Sequence, residues 1–132
     1  QFRKYIDETC LGLSIPPMIL QPLVENAVKY GIAPKEEGGT INLLIKHLTG
    51  AVYFEVSDDG LGVNAKKVMD GSSSGVGMTN TDLRLKSYYG PLAGLQVQAT
   101  DHGYTVSFSI PVLESTERKI HPTIQQTLKQ LI

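Results

Sequence analysis

Apolar residues recur along the chain with two different periods, which predict helices and strands. One stretch spaces them by three and four residues, as in a helix that buries one face: Leu20, Leu23, Val24, Ala27 and Val28. We expect this helix to run to about Tyr30 and to end at Gly31, with Pro22 marking a kink or a late start. A second amphipathic helix is expected at about residues 79–89.

Apolar residues and turn signals predict two β-hairpins, the second with alternating strands, and an edge strand. The hairpins cover residues 41–47 with 52–57 and 94–100 with 104–110, and the edge strand covers residues 2–7. The resulting order is helix, hairpin, loop, helix, hairpin. This order indicates an α+β two-layer sandwich, in which helices pack on one face of a mixed sheet.

Composition narrows the possible functions. A chain of 132 residues that is 41% hydrophobic fits one globular domain. The 12 basic residues are offset by 13 acidic ones and do not cluster, so we expect no nucleic-acid partner. No stretch approaches the roughly 20 apolar residues of a membrane span. Because the chain starts at Gln1 without an initiator Met, we expect it to be part of a longer protein.

Glu25, Asn26 and Lys29 form a polar stripe on the first helix, opposite its apolar face. Glu25 and Lys29 stand one turn apart, so the stripe is compatible with an ordinary solvated face. Asn, however, is a mediocre residue in the middle of a helix. An amide oxygen beside a carboxylate also suits Mg²⁺, and an ammonium group suits phosphate, so a magnesium and phosphate site is the second interpretation.

Asp58 continues the alternation of the strand before it and should point toward the apolar layer. It could cap the following turn, or it could await a ligand N–H such as the amino group of adenine. Gly60 and Gly62 would let a flat ring approach the backbone. Residues 60–65 also match a dinucleotide-binding fingerprint, but the adjacent Asp58-Asp59 pair would repel a pyrophosphate, and residues 71–75 form a serine-glycine run instead of a further strand. We expect that run to be mobile.

A second glycine-rich segment, Gly75-Val76-Gly77-Met78-Thr79-Asn80, leads directly into the second predicted helix. The free N–H groups at a helix start favour phosphate, although the pattern taken alone favours a flexible turn.

The order and spacing of these pieces are more specific than any one of them. E-N-x-x-K-Y-G is followed by D-D-G-x-G, by G-x-G-M-x-N-x-x-x-R-L, and by a strand that starts Gly103-Tyr104-Thr105. This series resembles the ATP-binding catalytic domain of sensor histidine kinases of the LytS type, within the GHKL superfamily (HATPase_c). The resemblance covers about residues 1–112 and implies a Bergerat fold, whose mixed sheet is mostly antiparallel. Residues 113–132 would be a tail with a short helix, and its apolar stripe favours packing on its own domain over a partner surface.

The resemblance implies ATP and Mg²⁺ as cofactors and assigns a role to each motif. Glu25, Asn26 and Lys29 would form the catalytic group, with Asn26 and Glu25 at the metal. The remaining nucleotide contacts would come from Lys29, Tyr30, Asp58, Gly60, Gly62, Gly75, Gly77, Met78, Asn80, Arg84 and Thr105. Asp58 would accept from the adenine amino group, Thr105 would support the base, and Arg84 would contact phosphate or a partner.

The chain departs from the family pattern in three ways. Asp59 stands where Asn is frequent, a single glycine precedes Thr105 where G-x-G-T is usual, and no histidine has the neighbours of a phosphoacceptor. The phosphoryl group would therefore pass to a histidine on a separate helical domain, and from there to a response regulator. The resemblance further implies a cytoplasmic domain of a homodimeric, membrane-anchored parent.

Two other functions compete with this one. The first is ATP hydrolysis of the gyrase or MutL kind, which resembles this chain but places a water-activating Glu one helical turn before the Asn. That place is Pro22 here, which offers no base. The second is a degenerate binding module, which the retained Asn26, Asp58, Gly75 and Gly77 disfavour.

Overall fold

Three α-helices and five β-strands make up most of the regular structure of the described residues. The computed structural model describes residues 1–32, 39–60, 75–100, 103–112 and 122–131. Its elements are β1 (Phe2–Ile6), α1 (Leu20–Asn26), β2 (Ile41–Leu48), β3 (Ala51–Asp58), α2 (Gly75–Tyr89), β4 (Gln96–Thr100), β5 (Gly103–Pro111) and α3 (Ile124–Gln130). A π-helix (Ala27–Ile32) continues α1, and short 3-10 helices cover Glu8–Cys10 and Pro91–Ala93.

The strands form one five-stranded sheet in the order β1-β2-β3-β5-β4. β1 runs parallel to β2, and all other neighbours are antiparallel. Gly50, with φ of +73°, makes the tight turn between β2 and β3. The predicted α+β fold with a mixed, mostly antiparallel sheet is confirmed. The alternative dinucleotide fold is excluded, because β3 has antiparallel neighbours on both sides, whereas that fold needs a parallel βαβ unit.

The core lies between the inner face of the sheet and the helices. Every second residue of β3 is buried, and Phe54 stacks on Phe108 of β5 with ring centroids 4.7 Å apart. The helices complete the core with Leu20, Leu23 and Val24 of α1, Leu85 of α2 and Ile124 of α3. The alternation that predicted the strands therefore reflects one buried and one more accessible face.

The first helix differs from the prediction at both ends. It begins at Leu20, so Pro22 lies in its first turn, where the missing N–H would have no intrahelical partner. The late start was thus the correct alternative. At the other end, the chain changes to a π-helix at Ala27 and continues through Gly31 to Ile32, although we expected Gly31 to end the helix.

The second helix begins earlier than predicted. We expected residues 75–78 to form a loop and the helix to start near residue 79, but α2 starts at Gly75. Glycine costs about 1 kcal/mol in a helix, yet each added residue also gains a backbone hydrogen bond once the helix is nucleated. Propagation from the well-packed part of α2 outweighs the local preference of the glycines. The sequence also predicts one helical turn at residues 64–69, which lie outside the described residues.

The C-terminal tail contains a short helix that packs against the domain. Thr123 caps α3 through its hydroxyl, which accepts from the Gln126 N–H at 3.1 Å, and the Gln126 side chain accepts from the Thr123 N–H at 2.8 Å. Ile124 is fully buried, and its N–H donates to the Leu13 carbonyl at 2.8 Å. The apolar stripe therefore packs on its own domain. No helix in the described parts of the chain is long and apolar enough to cross a bilayer.

Candidate functional site

α1 and the π-helix that follows carry the first group of candidate residues. Glu25 and Lys29 are exposed and Asn26 is half-buried, while Leu23 and Val24 face the core. π-helices are rare and frequently occur at functional sites. This one begins directly after Asn26 and includes the backbone of Lys29 and Tyr30. The side chain of Tyr30 lies outside what the structure describes.

Glu25 has a neighbour on its own helix. Its Oε1 accepts a hydrogen bond from Gln21 Nε2 at 3.0 Å, one turn earlier. An exposed contact of this kind contributes only a few tenths of a kcal/mol, roughly, and does not fix the carboxylate strongly. Glu25 can therefore turn toward a ligand at small cost.

Asp58 lies at the end of β3 on the buried face of the sheet, with only 7% of its surface exposed. Its Oδ1 accepts from the Gly60 N–H at 2.9 Å, which closes the turn after the strand. The capping role is therefore present in the structure. A carboxylate offers about four acceptor positions, so capping and an additional ligand N–H are compatible.

Asp59 and Thr40 hold the neighbouring strand connection in place. Asp59 Oδ1 accepts from the Thr40 N–H at 2.7 Å, and the Asp59 N–H donates to the Thr40 carbonyl at 3.2 Å. Asp59 is exposed, unlike Asp58 beside it. The two adjacent carboxylates consequently have different tasks, and only Asp58 faces the inner layer.

Tyr104, which sequence reasoning did not select, is the cross-strand partner of Asp58. Since alternate residues of a strand point to opposite faces, Tyr104 shares the inner face with Asp58, whereas Thr105 pairs with Ser57 on the outer face. The structure therefore brings Tyr104, and not Thr105, to Asp58. Burial, and secondly the Asp58 charge, raise the pKa of Tyr104. Its alternation with the buried Val106 and Phe108 of β5 could have assigned it to the inner face, although not to a place beside Asp58.

The start of α2 carries the second glycine segment. Gly75 and Gly77 belong to the helix itself, Met78 packs against the core, and Asn80 is exposed. This corrects the expectation that the glycines form a loop ahead of the helix. The first N–H groups of α2 are those of Gly75 and the residues that follow it, and the first four such groups of any helix lack intrahelical partners. Gly62 and residues 71–74 of the serine-glycine run are outside the described residues.

Arg84, which was predicted to contact phosphate or a partner, contacts the segment that precedes α1. Its guanidinium donates to the carbonyls of Pro17 and Met18, the latter at 2.8 Å. Met18 has φ of +60°, a conformation that is uncommon for residues other than glycine. Arg84 thus ties α2 to the strained segment that leads into α1, and the structure gives it a positioning role.

This arrangement, a one-sided helical layer over a mixed sheet with a buried, glycine-flanked carboxylate at a strand end, is that of an ATPase domain. The family model described as "Histidine kinase-, DNA gyrase B-, and HSP90-like ATPase" matches residues 17–114. The chain therefore belongs to this family of ATP-binding domains, and the resemblance inferred from its motifs is confirmed.

Individual relatives agree with the family match. YwpD of Bacillus subtilis (strain 168) is 38% identical over 117 residues, which are 84% of this chain and 41% of that protein. The sensor histidine kinase/phosphatase LytS of Staphylococcus aureus (strain MRSA252) is 30% identical over 115 residues, covering 80% of this chain and 20% of LytS. The chain thus spans less than half the length of these relatives.

A solved structure shows the same fold. The histidine kinase domain of the blue-light activated histidine kinase from Erythrobacter litoralis EL346 superposes with a TM-score of 0.59 at 17% identity. The match covers 92% of this chain and 54% of that one.

Proposed function

We propose that this domain binds Mg²⁺-ATP between α1, the end of β3 and the start of α2, and presents the γ-phosphoryl group to a histidine on a separate helical domain. The observation that carries the proposal is the buried Asp58 on the inner face of the sheet, in a chain that belongs to an ATPase family. A carboxylate placed there costs free energy unless hydrogen-bond donors satisfy it, and an adenine amino group is a suitable further donor.

The purine end of the site would be formed by Asp58 and the turn after it. The Gly60 N–H fixes one carboxylate oxygen, so the orientation of Asp58 is set before a base arrives. Gly60 and Gly62 contribute no side chains that would obstruct a flat ring. Thr105 is not part of this proposal, because it lies on the opposite face of the sheet.

The phosphate end would be formed by α1 and the π-helix. Asn26 and Glu25 supply the oxygen ligands that Mg²⁺ prefers, so the residues fit this ion. Among the described residues, no group of three or more His, Cys, Asp or Glu could hold a metal alone. Mg²⁺ is usually bound by one or two protein groups together with substrate phosphates. When bound, Mg²⁺ would neutralise charge on the phosphates.

Lys29 would extend toward the phosphates from the π-helix, and the first turn of α2 would offer backbone N–H groups from the other side. A helix N-terminus carries a partial positive charge and favours anions. α2 is 15 residues long, so its N-terminus carries this partial positive charge. Gly75, Gly77, Met78 and Asn80 are the residues we place there.

Catalysis by this domain would consist of positioning and charge neutralisation, because little covalent chemistry is required of a protein in phosphoryl transfer. The nucleophile would be a histidine that the chain itself does not supply. Hydrolysis is disfavoured, since Pro22 occupies the first turn of α1 where a water-activating Glu would stand. We further propose that the parent is a membrane-anchored homodimer, that this domain lies in the cytoplasm, and that a response regulator receives the phosphoryl group.

The proposal is tested by titrating the chain with ATP and ADP, in Mg²⁺ and in EDTA. We expect binding in the micromolar to millimolar range, tighter for ATP with Mg²⁺. Asn26→Ala should remove the Mg²⁺ dependence and leave ADP binding in EDTA nearly unchanged, because Asn26 acts through the metal. Asn42→Ala, on the outer side of β2, is the matched control. Equal losses with and without Mg²⁺ would assign Asn26 a structural role.

A further inference from the structure

Four residues on neighbouring strands form a row across the inner face of the sheet. Asp58 of β3 pairs with Ile41 on one side and with Tyr104 on the other, and Tyr104 pairs with Ala99 of β4. Ile41 is buried, and Tyr104 is half-buried and packs against the core. The row therefore places one carboxylate and one phenol side by side in otherwise apolar surroundings.

Gly103 is what allows this row to form. A Cβ at position 103 would lie 2.3 Å from the carbonyl oxygen of Asp58, closer than any real contact. β5 can therefore approach the end of β3 only because residue 103 is glycine. This close approach sets Tyr104 directly beside Asp58.

The two side chains offer opposite hydrogen-bonding groups. Asp58 is an acceptor, whereas a neutral phenol can donate. Burial and the nearby Asp58 charge raise the pKa of Tyr104, so its hydroxyl keeps its proton at neutral pH. Tyr104 is also the longer of the two side chains, and it stands directly across from Asp58 on the same face of the sheet. A base whose amino group meets Asp58 would therefore present its ring edge on the side of the phenol.

We infer that Tyr104 is a second base-reading residue, whose hydroxyl donates to ring nitrogen N1 of adenine beside the amino group accepted by Asp58. The inference rests on the proposed function. Adenine presents a donor at N6 and an acceptor at N1, which complements this acceptor and donor pair. Guanine carries an acceptor, O6, in place of the amino group, which would oppose the Asp58 carboxylate, and a donor at N1, which would leave the Tyr104 hydroxyl proton without its acceptor. Tyr104 thus contributes to selection of ATP over GTP.

The test compares ATP with 1-deaza-ATP, which lacks N1 as an acceptor, by titration in Mg²⁺. The wild-type chain should bind 1-deaza-ATP about three- to tenfold more weakly than ATP, the loss expected of one net hydrogen bond. Tyr104→Phe, which keeps the ring, should lose a similar factor for ATP and show no further loss for 1-deaza-ATP. Its preference for ATP over GTP should fall as well. 7-deaza-ATP keeps N1 but lacks N7, so any loss of affinity relative to ATP should be equal in the wild type and in Tyr104→Phe.

Tyr53→Phe is the matched control, because Tyr53 lies on the outer face, where its hydroxyl donates to Glu55 at 2.8 Å. It should bind all four nucleotides as the wild type does. If wild-type protein binds 1-deaza-ATP as tightly as ATP, or if the N1 penalty persists in Tyr104→Phe, the inference is wrong. If the wild type binds 7-deaza-ATP more weakly than ATP and this difference disappears in Tyr104→Phe, Tyr104 contacts N7 and the assignment to N1 is wrong.

A further variant separates this inference from the proposed function. Asp58→Asn should weaken ATP binding, because an amide is a poorer acceptor for the adenine amino group. If wild-type protein binds no ATP, or Asp58→Asn has no effect, the proposed purine site fails and the inference fails with it. If Asp58→Asn weakens binding and Tyr104→Phe does not, only the inference fails.

Discussion

At the scale of single residues, Gly103 is the position at which backbone geometry restricts the site most. The nearest heavy atom to an added Cβ would be backbone, the Asp58 carbonyl oxygen at 2.3 Å, which cannot rotate away as a side chain could. The ends of β3 and β5 would have to separate, and the pair of Asp58 with Tyr104 would separate with them.

We therefore predict that Gly103→Ala lowers the free energy of unfolding by about 1–3 kcal/mol, as overpacking does, and weakens ATP binding. Urea unfolding followed by circular dichroism measures the first effect. Gly12→Ala is the control, since nothing lies within 4 Å of a Cβ there, and it should stay within about 0.5 kcal/mol of wild type. Equal unfolding midpoints for the two variants would contradict the prediction.

Single residues also show what the sequence could and could not reveal. The burial of Asp58 follows from the period of two in β3 and was predicted. Tyr104 was missed because its place beside Asp58 depends on the pairing and register of β3 with β5, which belong to different hairpins and whose register sequence alone does not fix. Arg84 was predicted to contact phosphate or a partner, and its contacts with the carbonyls of Pro17 and Met18 could not be foreseen, because these residues are 66 or more positions away in sequence.

At the scale of elements, strands were predicted more accurately than helix ends. Strand bounds follow from alternation and agree with the structure within two residues. Helix ends depend on competition between local propensity and packing, which differs at each end. Gly75 and Gly77 were expected to precede the second helix, yet α2 includes both. Gly31 was expected to end the first helix, yet the π-helix after α1 continues through it.

The C-terminal helix allows an element-scale test. Ile124 is fully buried at the start of α3, whereas Gln130 at its end is exposed. Ile124→Ala should lower the free energy of unfolding by about 2–5 kcal/mol, because it removes buried methyl groups and leaves a cavity. Gln130→Ala, in the same helix, should change it by no more than about 0.5 kcal/mol. If the two variants unfold at the same urea concentration, α3 is not part of the cooperative unit.

At the scale of the whole molecule, the fold class was predictable because the order of helices and hairpins admits few arrangements. The sheet order β1-β2-β3-β5-β4 does not follow from the sequence pattern, since it requires pairing between β3 and β5, which are separated by α2. This pairing is what brings Tyr104 of the second hairpin to Asp58 of the first. The purine end of the proposed site is therefore a product of topology rather than of any one motif.

In the proposed function, this domain supplies the bound nucleotide and a separate partner supplies the phosphoacceptor histidine. His47 is held in place by two contacts. Its ring Nδ1 lies 2.9 Å from the Thr9 hydroxyl, and its backbone N–H donates to the Asp7 carboxylate at 3.2 Å. His102 and His121 lie outside the described residues, and neither has the sequence neighbours of a phosphoacceptor. With γ-labelled ATP, the chain alone should therefore bind nucleotide but neither label itself nor release phosphate appreciably.

Adding a helical segment that carries a phosphoacceptor histidine should produce label on that segment, stable to alkali and labile to acid. The reason is that this domain supplies the positioned nucleotide while the partner supplies the nucleophile. Asn26→Ala, the matched control, should abolish the label because the phosphates would no longer be held with their metal. Acid-labile label on the chain alone would show that it contains its own acceptor. Steady phosphate release would instead support the hydrolase alternative, and with it a water-activating group other than the residue at position 22.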